Sequence, residues 1–352
     1  MEKKYFLLYK TLKNKILSSE YKTGEKLPSK RVMADRSGNS IITVEKAYGM
    51  LIDEGYITSR EKSGYFVCET DIFPHTKKIT QNKTITHLDE NTPQENISDF
   101  EHSLWFKTIR KVISEKGERL FVKSPNKGCA VLRNALSDYL LRYRGMVAEP
   151  ERIIIGSGSE QLYECIVKIL GRDKVFGIEN PSYSQIETVY MSEGAKIEKL
   201  RMGADGIESA DLKNKHYDVL HVTPFMSYPT KVTTSATKRY EYLNWAGENK
   251  YIVEDDFNSE FFIPGQPIEA LYSLDTNERV IYINTFSKSL SPSMRMGYMI
   301  LPPKLVPEYD RILGGFSCTV PVLDQYVLAE FIASGNFERH LNRMRRKMTR
   351  LK

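Results

Sequence analysis

Residues 284–299 read "NTFSKSLSPSMRMGYM". This stretch sets Thr285, Ser287, Lys288, Ser289 and Arg295 between two apolar runs, "RVIYIN" and "MGYMIL". Both runs have the length and composition of buried strands. A polar loop hanging from buried strands is where α/β proteins place their chemistry. A lone lysine in such a loop is ordinarily a solvated charge, so its neighbours in the fold decide what Lys288 is for.

Working outward, "YIVEDDF" ends another strand candidate in three carboxylates, Glu254, Asp255 and Asp256, at the end where α/β sheets bind ligands. "IIIGSGSEQLYECIV" runs from a strand through Ser157, Gly158 and Ser159 into a helix, whose first amides and positive dipole end suit a phosphate. "ENPSYSQ" puts Tyr183 just past a strand and a proline. Strand candidates "RIIIGS", "KVFGIEN", "VLHVTP" and "YIVEDD" alternate with helix-like stretches, the pattern of an α/β domain with a largely parallel sheet. Amine, carboxylate, phosphate nest and aromatic face form one constellation, and pyridoxal 5'-phosphate needs each of its members.

With 352 residues, 41% hydrophobic and 27% charged, the chain can bury a sizeable core and is expected to hold more than one domain. No apolar run approaches the roughly 20 residues of a membrane span, and "MEKKYFLLYK" has too short an apolar core for a signal peptide. A cytoplasmic location without a membrane partner is therefore expected. Cys68, Cys129, Cys165 and Cys318 are far apart and lack metal-ligand spacing, so they read as reduced structural thiols, with no metal site. A net charge of +6 mildly favours a polyanionic partner.

The first 68 residues differ from the rest. Leu8, Leu12 and Ile16 recur every four residues and predict one buried helical face. "LPSKRVMADRSG" offers Ser29 as N-cap and Gly38 as C-terminal stop of a short helix, and "NSIITVEKAYGMLIDEGYI" starts a second helix at Ser40 and closes it at Gly55. So tight a turn reads as helix-turn-helix, with Val44, Ala47, Tyr48 and Leu51 inward and Ile42, Thr43, Glu45 and Lys46 outward. "YITSREKSGYFVC" alternates toward a hairpin tipped by Lys62, Ser63 and Gly64, a wing. Polar, aperiodic residues 69–97 read as a linker, leaving domains at 1–68 and 98–352.

"GEKLPSKR", "TVEKAYGMLIDEG" and "SGYFV" resemble the winged helix-turn-helix of GntR regulators. The resemblance implies that Arg31, Ser40, Thr43, Lys46, Lys62 and Gly64 meet double-stranded operator DNA. Relatives often carry arginine where Ile41 and Glu45 stand here, so base readout must differ and has thymine methyls as an apolar option. The plainer alternative is an ordinary solvated face in a protein-interaction module, against which turn, caps and wing all agree.

"EDDFNSEF" and "TFSKSLSPSMRMGY" resemble signatures of the MocR subgroup of GntR regulators, in which a winged helix precedes a fold-type I aminotransferase-like domain. The resemblance implies a Schiff base at Lys288, pairing of Asp255 with the pyridinium nitrogen, and stacking of Tyr183 on the ring. It gives the phosphate to Ser157, Gly158, Ser159, Ser287 and Arg295, with Thr285 nearby, and it implies a homodimer. Phe257 replaces the tyrosine expected at the ring hydroxyl, and "TPFMSYPTK" replaces a polar stretch with Phe225, Met226 and Ser227. The small C-terminal domain of relatives, roughly a hundred residues with an arginine for a substrate carboxylate, is expected to be missing. An apolar stripe of Leu341, Met344, Met348 and Leu351 would then await a partner.

Three readings follow. The leading one is a DNA-binding transcriptional regulator whose pyridoxal-phosphate-binding domain senses a small amine or amino acid, with at most residual half-transamination. The others are a true aminotransferase with an accessory DNA-binding domain, and a regulator whose sensor has lost the cofactor.

Overall fold

In a computed structural model of the chain, residues 3–60, 63–68, 100–261 and 269–350 are described. Lys62 and the stretch 69–97 lie outside them. The chain divides into two compact units, Met1–Thr92 and Pro93–Lys352.

In the first unit, helix α1 (Lys4–Leu17) buries Leu8, Tyr9, Leu12 and Ile16, as its four-residue spacing requires. The Ser29 hydroxyl accepts the Val32 amide and starts α2 (Lys30–Ser37), which Gly38 ends in a left-handed conformation at φ +64°. Helix α3 (Ile41–Asp53) begins where the Ser40 hydroxyl accepts the Thr43 amide, 3.2 Å away. It buries Val44, Ala47, Tyr48 and Leu51, and the Tyr48 hydroxyl donates to the Pro28 carbonyl at 2.8 Å. Strands β1 (Ile57–Arg60) and β2 (Gly64–Val67) pair antiparallel, with Arg60 opposite Gly64. One apolar core joins all five elements.

The second unit is built on seven strands: β3 (Ile153–Gly156), β4 (Val175–Asn180), β5 (Lys196–Arg201), β6 (Val219–Val222), β7 (Tyr251–Asp255), β8 (Val280–Thr285) and β9 (Gly297–Ile300). Their order is β3-β9-β8-β7-β6-β4-β5, and β9 alone runs against its neighbours. Every residue of β3, β6 and β9 is buried, as in a sheet covered on both faces. Successive residues serve opposite cores. Ile153, Ile155, Tyr298 and Ile300 pack with α4 (His102–Lys116), α5 (Ala130–Tyr139), α12 (Val322–Ala333) and α13 (Asn336–Arg350). Ile154 and Met299 pack with α6 (Ser159–Leu170), α7 (Ser184–Ser192) and α11 (Val306–Leu313). Farther along the sheet, Leu220, Val222 and Ile252 meet α8 (Ser209–Asn214), α9 (Ala236–Ala246) and α10 (Leu271–Leu274) in a smaller core.

Helix α13 departs from expectation in its first half. Phe337 and Leu341 are buried in the unit's own core and Met344 is half-buried, so this part of the apolar stripe is covered from within the chain. The Met348 side chain and Leu351 lie outside the description. Among the described residues no helix is long and apolar enough to cross a membrane.

Candidate functional site

Because β9 is the single reversed strand, β3, β4, β6, β7 and β8 end along the same edge of the sheet. The segments that follow these ends surround a cleft of about 420 Å³. Lys288, Asp255, Tyr183, Ser159, Thr285, Ser287 and Arg295 all line it, though they come from four separate parts of the sequence.

Asp255 closes β7 and is buried. Its Oδ2 accepts the Tyr163 hydroxyl and stands 3.9 Å from His221 Nε2. His221 Nδ1 is 2.7 Å from the Tyr190 hydroxyl. Burial first, then the Asp255 charge, pushes both tyrosines well above their usual range, so they remain protonated. Oδ1 of Asp255 is buried and no described residue donates to it. A buried acceptor left unmet costs roughly 1–3 kcal/mol, so a donor is called for.

Lys288 Nζ donates to Asn258 Oδ1 at 2.6 Å and lies 4.3 Å from the centre of the Phe257 ring. The Asn258 amide is fixed in orientation because its Nδ2 donates to the carbonyls of Met226, at 3.1 Å, and Phe225, at 3.5 Å. An aspartate there could accept from Lys288 but could not donate to those carbonyls.

Helix α6 opens toward the cleft without a side-chain cap, leaving its first amides for a ligand. Gly158, at φ +108°, precedes it, and a Cβ there would lie 3.2 Å from Arg295 Nη2, so glycine leaves room for the guanidinium over the helix start. Arg295 Nη2 is 3.0 Å from Glu160 Oε2 in a half-exposed ion pair of little stabilising value. Ser157 does not line the cleft, and its amide already donates to Gln161 Oε1 at 3.1 Å.

Sequence reasoning missed several participants. Tyr163 and Ile186 sit inside apolar helical patterns, and Thr223 and Tyr228 flank "PFMS", yet all four line the cleft. The three substituted residues between them do not. Phe225 is buried beneath the Arg239 guanidinium, 4.9 Å away; Met226 is exposed; Ser227 is buried and donates to Glu179 Oε2 at 2.5 Å. Helix α13 also reaches the site's loops, for His340 Nε2 is 2.9 Å from the Ser289 carbonyl and Arg345 Nε donates to the Glu260 carbonyl at 2.7 Å.

Glu179, at the end of β4, braces the wall by accepting the Thr223 amide at 3.0 Å and the Ser227 hydroxyl. Burial pushes its carboxyl up to about 7, against the lowering effect of these two bonds. A raised acid favours the fold when protonated, so its contribution is full below the unfolded value of 4.5 and is lost as pH rises through about 7. Glu179→Gln is therefore expected to flatten stability between about pH 4.5 and 7, removing a pH-dependent contribution of about 3 kcal/mol. Thermal midpoints across that range check this. Equal slopes in both proteins would disprove it.

In the first unit, Arg31 and Lys46 are exposed, and Lys46 Nζ lies 5.7 Å from the Tyr5 ring centre. The Ser40 and Thr43 hydroxyls bond each other at 2.9 Å. Gly64, at φ +113°, turns the wing where a Cβ would come within 3.0 Å of Lys26 Cε.

Residues 5–67 match the gntR family of bacterial regulatory proteins, and residues 84–352 match the class I and II aminotransferases. The chain is 33% identical over 351 residues to YdeL of Bacillus subtilis (strain 168), an uncharacterized HTH-type transcriptional regulator, covering 97% of this chain and 76% of that one. It is 30% identical to the probable rhizopine catabolism regulatory protein MocR of Rhizobium meliloti, covering 96% of this chain and 73% of that one. Among solved structures, LysN, an alpha-aminoadipate aminotransferase from Thermus thermophilus complexed with N-(5'-phosphopyridoxyl)-L-leucine, shares the fold. Its TM-score is 0.63 at 25% identity, over 70% of this chain and 64% of that one.

Proposed function

Because the chain belongs to the GntR-family transcriptional regulators that carry a class I and II aminotransferase domain, we propose that it reads operator DNA with its winged helix and holds pyridoxal 5'-phosphate around Lys288. The observation that carries the cofactor reading is Asp255 Oδ1, a buried acceptor without a donor among the described residues, in the same cleft as a lysine and an uncapped helix start. A pyridinium N–H is the donor that fits it.

When bound, the cofactor supplies an aldehyde and an electron-accepting ring. Lys288 gives the amine for the aldehyde, and Asn258 aims it. Asp255 would accept a charge-assisted hydrogen bond from the ring nitrogen's N–H, which stays protonated, while Tyr163 keeps that carboxylate in place. Tyr183 offers a stacking face. The α6 amides with Ser159, Ser287, Thr285 and Arg295 form the phosphate seat, and Ser157 and Gly158 shape its backbone. Phe257 has no hydroxyl for the ring oxygen, which favours a sensor over an enzyme. On this reading residues 1–68 and 98–352 are separate domains of a cytoplasmic homodimer, and a small amine or amino acid meeting the cofactor shifts a conformational equilibrium that the DNA-binding unit reports.

On the DNA side, Arg31, Lys46, Lys62, Ser40, Thr43 and Gly64 face the duplex. The intact chain should bind promoter-proximal duplex with an affinity that falls steeply as salt rises. Arg31→Ala should weaken it and reduce the slope of log K against log salt by about 1. Binding retained by a chain lacking residues 1–68, or an unchanged slope in Arg31→Ala, would count against the assignment.

A further inference from the structure

The outward stripe of α3 has an unusual makeup. Helix positions four and three residues apart share a face, so Ile42, Lys46 and Gly49 line up opposite the buried Val44, Ala47, Tyr48 and Leu51. Ile42 is 66% exposed and its neighbour Ile41 48% exposed, two β-branched aliphatics in water at the start of a helix. The polar groups beside them already have partners within the unit, which leaves the hydroxyl pair one donor to spare for a phosphate. Ser40 caps the helix and bonds Thr43, and Glu45 Oε1 is paired with Lys30 Nζ at 2.5 Å.

Gly49 is the second clue. Mid-helix glycine is unfavourable relative to alanine, yet an added Cβ here would meet nothing within 4 Å. Among the described residues nothing asks for glycine here. A bare backbone on this face suits a surface that approaches from outside. The exposed cations Arg31 on α2 and Lys46 on α3 suit an anionic surface.

Resting on the reading of α3 as the DNA-recognition helix, we infer that this regulator reads thymine-rich half-sites, with Ile41 and Ile42 packed on thymine C5-methyl groups and Gly49 admitting the groove wall. The major groove offers a single apolar feature, that methyl, and aliphatic side chains have no other base edge to recognise. On the outward stripe Lys46 is the side chain with donors for a guanine edge or a phosphate and Gly49 presents nothing, so the base contacts left to Ile41 and Ile42 are apolar.

The test starts from duplexes selected by the intact chain from a random-sequence pool, remade with deoxyuridine in place of thymidine. Each contacted methyl removed should weaken binding about 4-fold, the value of one buried methylene-sized group. Ile42→Ala should bind thymidine and deoxyuridine duplexes more nearly alike. Gly49→Ala should raise the thermal midpoint yet weaken DNA binding, a split that a merely structural glycine would not produce. Equal affinity of the unaltered chain for both duplexes, or an undiminished methyl effect in Ile42→Ala, would overturn the inference. Failure to select any sequence by folded protein would instead sink the operator-binding reading beneath it.

Discussion

Lys288→Ala is expected to abolish the covalent capture of pyridoxal 5'-phosphate. The unaltered protein, mixed with the cofactor and reduced with borohydride, should carry a phosphopyridoxyl group on the peptide containing "TFSK", and the variant should carry none there. The expectation rests on placement. Lys288 is the one lysine among the described residues that line the cleft, and the Asn258 carbonyl, itself locked by two backbone acceptors, fixes where its ammonium sits. Asp255→Ala should leave Lys288 able to react but weaken retention, because it removes the buried carboxylate proposed to meet the ring nitrogen. Both variants should keep DNA binding, with its dependence on cofactor lost in Lys288→Ala and shifted to higher cofactor concentration in Asp255→Ala. Adduct scattered over surface lysines, or none in folded unaltered protein, would favour the regulator with a degenerate sensor, the reading that Phe257 supports.

Leu51→Ala should abolish DNA binding by melting the winged helix. Leu51 is fully buried among Leu12, Val44 and Tyr48, and a large-to-small change at such a site costs roughly 2–5 kcal/mol. A domain of this size has little stability to spare, so the loss is a large share of the total. Leu7→Ala, on the exposed side of α1, is the control and should change little. Limited proteolysis and a DNA-binding assay read the effect. If the two units fold independently, the variant should still form the Lys288 adduct. A variant that binds DNA normally, or that loses the adduct too, would contradict this picture.

Features that are local in the chain were the easiest to read from sequence. Ser29 and Ser40 cap helices because a short hydroxyl can reach an amide three residues on, and Gly38 ends one because it tolerates positive φ. Six strands of the large sheet stood out as apolar runs. Strand β5 did not, since "KIEKLR" is an edge strand with Leu200 its one fully buried residue. The lining of the cleft was legible where a residue type was out of place, as with Lys288 between strands. Tyr163, His221 and Glu179 gave no such signal. Their partners lie far along the chain, and a tyrosine in an apolar helix looks like packing until the fold brings Asp255 to it.

The two hydrogen bonds from α13 to the site's loops have a mechanical consequence. His340 grips the loop that follows Lys288, and Arg345 grips the loop that follows Asp255. A helix resists bending and stretching, so it acts as a crossbar fastened to both. Neither loop can shift far without dragging the bar, and the bar in turn pulls on the other loop. Through this linkage, a displacement of either loop is passed along α13 to the other.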